Sequence, residues 1–481
     1  MEDFQLKKSA FTGMIWKLAE RIGAQAVTLL ISIILARLLT PGDYSIVGVV
    51  NVFFAFCNVF VVGGFNAALI QKKDADETDY SSVLWVSLGI GAILYTALFF
   101  AAPWIAEIYN KPLLTPVFRV MGITLMIDAV KAVLYAYVSG QLQFKKFFFA
   151  TLVGTVLSAT VGVMMAMRGY GPWALVAQKM ISSIADTLVL MVSSRFRVLL
   201  KVSLSRIKEL FRYGWKIFAA TLISTAYDQM NPLIIGLRFT MEDLAFYSKG
   251  QQFPLALNGC MDGALTSVLF PVMSKVQDDP QKVLGYTRRF IRTVSYIVFP
   301  VMVGFMAVSD SFVRVLLTEK WMPASIYIKI FCITYAFNIV QTGNLQTIRA
   351  IGRSDIILKL EIIKKSLYFV VILLALIFAK SPEGLALATI INTCIATVVN
   401  TTPNRKLIGY RYRDQIADIL PNLMICVAMG VLVYLINFLA IGALLKLFVQ
   451  IVVGVVSYVL FSVLTRNQSF FYLLNHFLKK G

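Results

Sequence analysis

The sequence GMIWKLAERIGAQAVTLLISIILARLL, residues 13–39, decides the fold class. It is long enough to cross a bilayer as one helix, since a transmembrane helix needs about 20 mostly apolar residues. Polar residues recur along it at steps of four, four, three and four, which places them on one helix face. These residues are Lys17, Arg21, Gln25, Thr28 and Ser32. Because charge is costly in hydrocarbon, this face is expected to contact other helices or a cavity rather than lipid.

The charged end of this stretch has two interpretations. Lys17 and Arg21 lie within about two turns of the helix start, so their long side chains could extend to the cytoplasmic headgroups. Gln25, Thr28 and Ser32 lie deeper and could form ordinary hydrogen bonds between helices. The functional interpretation is a wet, cationic cavity that opens to the cytoplasm, and both interpretations stay open at this stage.

The composition indicates a polytopic membrane protein. Of the 481 residues, 58% are hydrophobic and 15% are charged, and the mean hydropathy is +0.77. A soluble domain has about 45–50% apolar and about 25% charged residues. The formal net charge is +20, but the cations are concentrated in alternate loops, as the positive-inside rule expects. We therefore expect no nucleic-acid partner.

Cysteine and histidine usage argues against metal and redox chemistry. All five cysteines fall within apolar spans without metal-ligand spacing, and the single histidine, His476, lies near the end of the sequence. We expect no disulfide framework, no metal site and no cofactor. The first residues, MEDFQLKKSAFTG, lack the apolar core and cleavage site of a signal peptide, so the first helix is expected to stay as an anchor.

The apolar spans predict an all-α polytopic membrane protein with about 14 transmembrane helices. Their predicted limits are 13–39, 44–70, 81–108, 113–142, 147–168, 172–194, 211–237, 243–271, 288–310, 323–350, 356–379, 383–402, 416–439 and 442–465. The connections are short and contain Gly, Pro and Asp, as turns do. None is large enough to form a catalytic domain. The basic loops are assigned to the cytoplasm, which places both termini there and requires an even helix count.

Two parts of the chain match at an offset of about 200 residues. Thr40-Pro-Gly-Asp43 ends the first predicted helix, and Thr240-Met-Glu-Asp243 ends the seventh. The matching pairs continue as Phe53 with Phe253, Asn58 with Asn258 and Gly63 with Gly263. Six helices separate the copies, so both run in the same direction, and the substrate of such parallel repeats is expected at their interface. Chance similarity between apolar segments is the alternative.

The repeat and the longest basic linker predict five segments. They are a first lobe of six helices (1–194), a cytoplasmic basic linker (195–211), a second lobe of six helices (212–402), helices 13 and 14 (403–465) and a cytoplasmic tail (466–481). The tail mixes Phe and Leu with Lys479 and Lys480, which is typical of a segment in the membrane interface.

Predicted helices 1, 2, 7 and 8, which correspond in pairs, all carry polar stripes. The candidate cavity residues are Lys17, Arg21, Gln25, Asn51, Asn58, Lys216, Lys249, Gln252 and Asn258. Asp228 and Asp262 are expected to be buried and are candidates for ion coupling, with pairing to a neighbouring Lys as the alternative. Polar side chains that hold a bundle together are the simpler interpretation of each stripe. Elsewhere, Asp128 and Lys131 are three residues apart and are expected to pair within their helix.

The stripes suit an anionic, hydroxyl-rich substrate. Amides and hydroxyls hydrogen-bond sugars, and Lys and Arg neutralise phosphate. The sequence contains no phosphate-binding glycine loop, nucleophile elbow or metal motif, so a transporter is expected rather than an enzyme. Without an ATP site, the energy must come from an ion gradient, the membrane potential or the substrate gradient.

At these residues the chain resembles the polysaccharide transporter family of the multidrug/oligosaccharidyl-lipid/polysaccharide (MOP) flippase superfamily, in its Wzx-type, colanic-acid-exporter-like branch. The matching stretches are Ile34-Leu-Ala-Arg-Leu-Leu-Thr-Pro-Gly-Asp-Tyr44, Gly64-Phe-Asn-Ala-Ala-Leu-Ile-Gln71, Gly169-Tyr-Gly-Pro-Trp-Ala-Leu-Val176, Leu269-Phe-Pro-Val-Met-Ser-Lys-Val-Gln-Asp-Asp279, Leu317-Thr-Glu-Lys-Trp-Met-Pro323 and Ala350-Ile-Gly-Arg-Ser-Asp355. Each is weakly specific alone, and together they cover most of the chain in the expected order. Tyr44-Ser45 departs from the Phe-Gly of many relatives.

The resemblance implies a MATE-like fold with two six-helix lobes in parallel repeat and two C-terminal helices. It implies a flippase of the bacterial inner membrane that moves undecaprenyl-pyrophosphate-linked oligosaccharides to the periplasmic leaflet for capsule, exopolysaccharide or O-antigen assembly. Alternating access would use a central cleft lined mainly by helices 1, 2, 7 and 8. A polysaccharide polymerase, chain-length machinery and a coupling H⁺ or Na⁺ are the implied partners.

Rival functions follow from the same features. An ion-coupled exporter of cationic small molecules, from the same superfamily, would need an acidic cavity, and the stripes here are basic. A membrane glycosyltransferase or polymerase would need a large loop with carboxylates. A scaffold protein would have no use for four costly polar stripes. A lipid II flippase is a close variant that stays open.

Overall fold

The computed structural model describes residues 23, 25–72, 74–141, 143–194, 196, 198–274 and 276–478. It describes the side chains of all of these except 263–272, 274, 354 and 476–478. The candidate cavity residues Lys17 and Arg21 lie outside the described residues. All regular secondary structure within the described residues is helical, which confirms the predicted all-α class.

The described chain forms a series of helices joined by short turns. They are α1 (Gln25–Leu38), α2 (Pro41–Val62), α3 (Phe65–Gln71), α4 (Glu77–Ile108), α5 (Leu114–Gly140), α6 (Phe144–Met167), α7 (Trp173–Ser194), α8 (Leu204–Arg238), α9 (Met241–Ser274), α10 (Pro280–Phe312), α11 (Ala324–Ala350), α12 (Ser354–Phe378), α13 (Pro382–Leu407), α14 (Tyr412–Leu435), α15 (Ala443–Leu464) and α16 (Gln468–Leu478). Among the described residues, nine spans are long and apolar enough to cross a membrane. The count of about 14 spans stays a prediction.

The chain divides into two compact units, Met1–Ala245 and Phe246–Gly481. In the first unit, α5 packs against α4 and α7, α6 packs against α7, and α2 packs against α5 and α8. The core includes a buried aromatic cluster in which Tyr80 packs edge-on against Tyr137 and Phe196. The predicted lobe limits (1–194 and 212–402) follow from the internal repeat and not from the contacts within each unit. They stay a prediction.

The predicted span 44–70 is two helices, because the chain turns at Gly63-Gly64. Both glycines have positive φ values, 50° and 74°, which disfavour a side chain. The turn brings α3 against α8. A Cβ atom on Gly64 would lie 2.2 Å from the carbonyl oxygen of Gly214. The two helices therefore meet backbone to backbone, and only glycine fits at this contact.

Side chains near the start of α4 hold the linker that precedes α8. The Leu199 N–H donates to Ser81 Oγ at 2.9 Å and the Ser203 N–H donates to Ser82 Oγ at 3.0 Å. Trp85 Nε1 donates to the Leu199 carbonyl oxygen at 3.0 Å. Helix α8 begins at Leu204, inside the segment 195–211 that was predicted to be linker.

An ion-pair cluster holds the first turn of α8 against the start of α4. Arg206, in the first turn of α8, hydrogen-bonds Asp76 and lies 3.3 Å from the buried carboxylate of Asp79. Lys72 donates to the same Asp79 carboxylate at 3.1 Å. The hydrogen bond from Arg206 lowers the pKa of Asp76. The cluster joins the segment between α3 and α4 to the start of α8.

In the second unit, α10 packs against α11 and α14, α11 and α12 pack against α13, and α14 packs against α15. A fully buried amide network joins three of these helices. Asn344 of α11 exchanges hydrogen bonds with Gln415 of α14 at 3.1 and 3.2 Å. Asn404 of α13 donates to Asn344 Oδ1 at 2.6 Å. These bonds satisfy the buried side chains of Asn344 and Gln415, whereas Asn404 Oδ1 is buried without a partner among the described residues.

The expected pairing of Asp128 with Lys131 within α5 is wrong. Lys131 Nζ instead lies 2.7 Å from Asp186 Oδ2 of α7, and the Asp128 carboxylate accepts a hydrogen bond from Ser183 Oγ of α7. The close packing of α5 on α7 offers both side chains better-placed partners than each other. Spacing within one helix does not reveal partners on a neighbouring helix.

Candidate functional site

The two turns that match in the sequence also match in their hydrogen bonds. The Thr40 N–H and hydroxyl donate to Asp43 Oδ2 at 2.8 and 2.7 Å, and the Thr240 N–H and hydroxyl donate to Asp243 Oδ2 at 3.0 and 2.7 Å. Each Asp N–H donates back to the Thr hydroxyl. This reciprocal cap fixes the first turns of α2 and α9 in the same way.

Asn58 and Asn258 occupy the same position in α2 and α9, counted from Pro41 and Met241. Asn58 is half-buried and Asn258 is buried. In each, the side-chain oxygen is buried and has no hydrogen-bond partner among the residues that the structure describes. An unsatisfied buried acceptor costs about 1–3 kcal/mol, so such a group often serves a ligand or an ordered water. Each compact unit therefore holds one unused amide acceptor at an equivalent position.

The remaining stripe residues of the first unit differ in exposure. On α1, Gln25 is half-buried and Thr28 is exposed, and on α2, Asn51 is exposed. Lys216, in the first half of α8, is also exposed. These positions therefore lie outside the buried core of the unit.

Asp228 of α8 is exposed, so the expectation that it is a buried carboxylate is wrong. Asp262 of α9 is half-buried and accepts a hydrogen bond from Thr342 Oγ1 at 2.6 Å. Among the described residues its partner is thus a hydroxyl group, and pairing with a lysine stays an alternative. The two carboxylates therefore differ in exposure, and the Thr342 hydroxyl of a neighbouring helix holds Asp262.

Lys249 of α9 lies inside the second unit, with 3% of its surface exposed. Its ammonium group lies 5.6 Å from the ring centroid of the fully buried Trp321 and 5.9 Å from that of Phe253. This distance allows a cation–π interaction. Lys249 is thus enclosed by aromatic rings, whereas Lys216 is exposed.

Helix α11 supplies partners to the α9 stripe that the sequence did not single out. Gln251 Nε2 donates to the Tyr335 hydroxyl at 3.1 Å, and Thr342 donates to Asp262. Gln252 beside them is half-buried. Tyr335 and Thr342 are seven residues apart, which places them on one helix face and was a usable signal. The stripe of α9 is therefore partly satisfied within its own unit.

The described residues contain no group of three His, Cys, Asp or Glu side chains that could hold a metal ion. The described cysteines are all free thiols. The chemistry available at the stripes is thus hydrogen bonding by amides and hydroxyls, together with the charges of Lys216, Lys249, Asp228 and Asp262.

Comparison with known proteins connects these features to one family. The family described as "Polysaccharide biosynthesis protein" matches residues 34–326. The lipopolysaccharide biosynthesis protein WzxC of Escherichia coli is 24% identical over 447 residues, covering 89% of this chain and 88% of WzxC. The succinoglycan biosynthesis transport protein ExoT of Rhizobium meliloti is 22% identical over 306 residues, covering 64% of this chain and 62% of ExoT.

A solved structure shares the fold. The lipid II flippase MurJ, in an inward closed conformation, superposes with a TM-score of 0.75 at 15% sequence identity. The match covers 95% of this chain and 99% of MurJ. The predicted MOP-type helical fold is therefore confirmed.

Proposed function

The chain belongs to the polysaccharide biosynthesis protein family, and from this membership we propose that it is a flippase for undecaprenyl-pyrophosphate-linked oligosaccharides. It is a membrane transporter and not an enzyme. In the proposed reaction the oligosaccharide repeat unit moves from the cytoplasmic to the periplasmic leaflet of the bacterial inner membrane. The product would supply assembly of a capsule, an exopolysaccharide or an O-antigen.

The observation that carries the proposal is the pair of unused amide acceptors at Asn58 and Asn258. A sugar presents many hydroxyl donors, and a buried amide oxygen is a good acceptor for them. An apolar cargo would leave both oxygens unsatisfied. A hydroxyl-rich cargo is therefore the class that fits.

The charged stripe residues are assigned to the pyrophosphate. In the proposed mechanism Lys17, Arg21 and the exposed Lys216 attract the pyrophosphate-sugar head to a cationic central cavity, while the lipid tail stays in the bilayer. Lys249 would join them only in a state in which its contact with Trp321 opens. Gln25, Asn51 and Gln252 would add hydrogen bonds, and alternating access would expose the cavity to the other side.

Asp228 and Asp262 remain the proposed coupling groups for H⁺ or Na⁺. Asp262 would exchange its hydrogen bond with Thr342 for the ion, and the exposed Asp228 would offer a second carboxylate. Both termini are proposed to lie in the cytoplasm, and a polysaccharide polymerase with its chain-length machinery is the proposed recipient system.

The test is leaflet-resolved translocation of a lipid-pyrophosphate oligosaccharide by the full-length protein in liposomes. The double variant Asn58→Leu and Asn258→Leu should translocate at least roughly tenfold more slowly. Because neither side-chain oxygen has a partner to lose, the thermal stability should stay the same or rise slightly. Thr160→Val, which removes an exposed hydroxyl from α6, is the matched control and should keep the wild-type rate.

Normal translocation by the double variant would contradict the assignment of the two asparagines. The same liposomes with imposed proton or sodium gradients identify the coupling ion. If the folded wild-type protein moves no lipid-linked glycan, including its native one, the alternative of an ion-coupled small-molecule exporter is favoured, and an efflux assay tests it.

A further inference from the structure

A second cationic site lies in the second unit, away from the stripe of α9. Three arginines, Arg288, Arg289 and Arg292, project from the first part of α10 into a cavity of about 370 Å³. Gln468 and Tyr472 of α16 line its other side. None of these residues has a role in the proposed translocation mechanism. The cavity therefore needs a separate explanation.

The arginines outnumber the carboxylates around them. The only carboxylate on the described residues lining this cavity and the one next to it is Asp418 of α14, which is fully buried. Arg288 donates to it at 2.8 and 2.9 Å, and Arg292 Nε donates to it at 2.7 Å. The Tyr410 hydroxyl donates to it as well, at 2.8 Å. Asp414 also interacts electrostatically with Arg288. Three arginines against these two carboxylates leave an excess positive charge, which an anion would neutralise.

Of the three arginines, Arg289 is the one whose guanidinium group is not used to pair with Asp418. It is exposed, and its guanidinium carbon lies 5.5 Å from the ring centroid of Tyr472. Within the described part of the chain, no carboxylate pairs with it. Its guanidinium lines the cavity beside Arg288, whose Nη1 is left unused by Asp418. Arg292 Nη1 donates to Gln468 at 3.3 Å.

A cavity with a mixed lining adjoins the cationic one. It measures about 520 Å³, shares Arg292, Gln468 and Ser469 with it, and contains further polar and charged side chains. One wall is apolar and includes Leu420 and Met424 of α14, which are 45% and 65% exposed. A ligand that is charged at one end and has an apolar chain at the other fits the two cavities together.

The depth of the site matches a lipid headgroup. Helix α10 has 33 residues and is about 50 Å long, which exceeds the roughly 30 Å of bilayer hydrocarbon. Arg288 lies about two turns from its start, in the part that extends toward the membrane surface. Helix α16, with Phe470, Phe471 and Tyr472, follows the α15 terminus at the same end. Aromatic residues are typical of the interface.

We propose that this site binds an anionic glycerophospholipid of the surrounding leaflet. The phosphate would lie between Arg289 and the free Nη1 of Arg288, with the charge of Arg292 beside them, since guanidinium groups bind phosphate oxygens strongly. One acyl chain would follow Leu420 and Met424 along α14. Basic pockets between transmembrane helices bind anionic headgroups in this way.

The experiment measures the thermal unfolding of the full-length protein in neutral detergent with added phosphatidylglycerol or phosphatidylcholine. Phosphatidylglycerol should raise the unfolding temperature saturably, and phosphatidylcholine should not. Arg289→Gln, which leaves the buried Asp418 pairs intact, should raise the half-saturating lipid concentration about fivefold, the usual contribution of one interfacial cation. Arg314→Gln removes an exposed arginine paired with Glu319 outside the cavity and should respond like the wild type.

Two further measurements distinguish binding of a lipid from binding of a soluble anion. Glycerol phosphate, which has the headgroup chemistry without acyl chains, should protect only at far higher concentration. Met424→Gln should weaken the effect of phosphatidylglycerol and leave that of glycerol phosphate unchanged. Equal protection by both lipids, or a wild-type response of Arg289→Gln, would overturn the site. Protection by glycerol phosphate at the lipid's concentration would overturn the lipid assignment. No isoprenoid substrate is present, so the result is independent of the translocation test.

Discussion

At the scale of single residues, the contact between Gly64 and Gly214 leaves no room for a side chain, because it joins two backbones. A methyl group on Gly64 would lie 2.2 Å from the carbonyl oxygen of Gly214, and Gly64 has a φ of 74°. We expect Gly64→Ala to destabilise the protein by about 3 kcal/mol, from backbone strain and separation of α3 from α8. Thermal unfolding in detergent measures the loss.

The control for this substitution is Gly89→Ala in α4, where nothing lies within 4 Å of the added methyl group. It should be neutral or slightly stabilising, because Ala favours a helix over Gly by about 0.5–1 kcal/mol. Equal unfolding temperatures for Gly64→Ala and Gly89→Ala would show that the close contact is not needed.

At the scale of helices, the amide network around Asn344 joins α11, α13 and α14. In Asn344→Leu, the side chains of Asn404 and Gln415 lose buried partners. Each unsatisfied group costs about 1–3 kcal/mol, so we expect a loss of about 3 kcal/mol in unfolding free energy. Denaturant titration of the purified protein tests this value. Thr465→Val, an exposed hydroxyl bonded within its own helix, should lose less than about 0.5 kcal/mol.

Sequence patterns predicted the helices well and their partners poorly. Hydropathy and turn residues identified the apolar spans, and the Thr-x-x-Asp spacing identified two equivalent turns, because both signals are local. The break between α2 and α3 was missed, although Gly63 and Gly64 are adjacent, since an apolar run with two glycines still has the composition of one span. The environment of Lys249 was missed because Trp321 lies far along the chain.

The same reason limits prediction of the site. Which stripe residues are enclosed depends on neighbouring helices: Lys249 is buried and Lys216 is exposed, although both lie in equally polar stripes. Conversely, a residue that the sequence did not single out can be buried and paired. Asp418 is the buried partner of two arginines. A single sequence shows which residues share a helix face and does not show what that face meets.

At the scale of the whole molecule, hydrogen bonds hold the linker between α7 and α8 against α4. The double variant Ser81→Ala and Ser82→Ala removes the acceptors for the Leu199 and Ser203 N–H groups. With about 1 kcal/mol lost for each of the two hydrogen bonds, the linker should open roughly thirtyfold more often. Limited trypsin cleavage after Lys201 should accelerate by the same factor.

The control is Ser248→Ala, an exposed serine of α9, which should leave the cleavage rate unchanged. A double variant that is cut at the wild-type rate would show that the ion-pair cluster of Arg206 with Asp76 and Asp79 is enough to hold the linker.

The reciprocal caps at Thr40 and Thr240 bear on how far internal repeats can diverge. Only the first and fourth residues of each turn form the hydrogen bonds that fix it. The middle pair is Pro41-Gly42 in one copy and Met241-Glu242 in the other, and both give the same geometry. The two middle residues of each four-residue turn can therefore be substituted without altering the direction in which the next helix starts. Two copies with little overall identity can keep the same architecture as long as these few anchoring side chains persist.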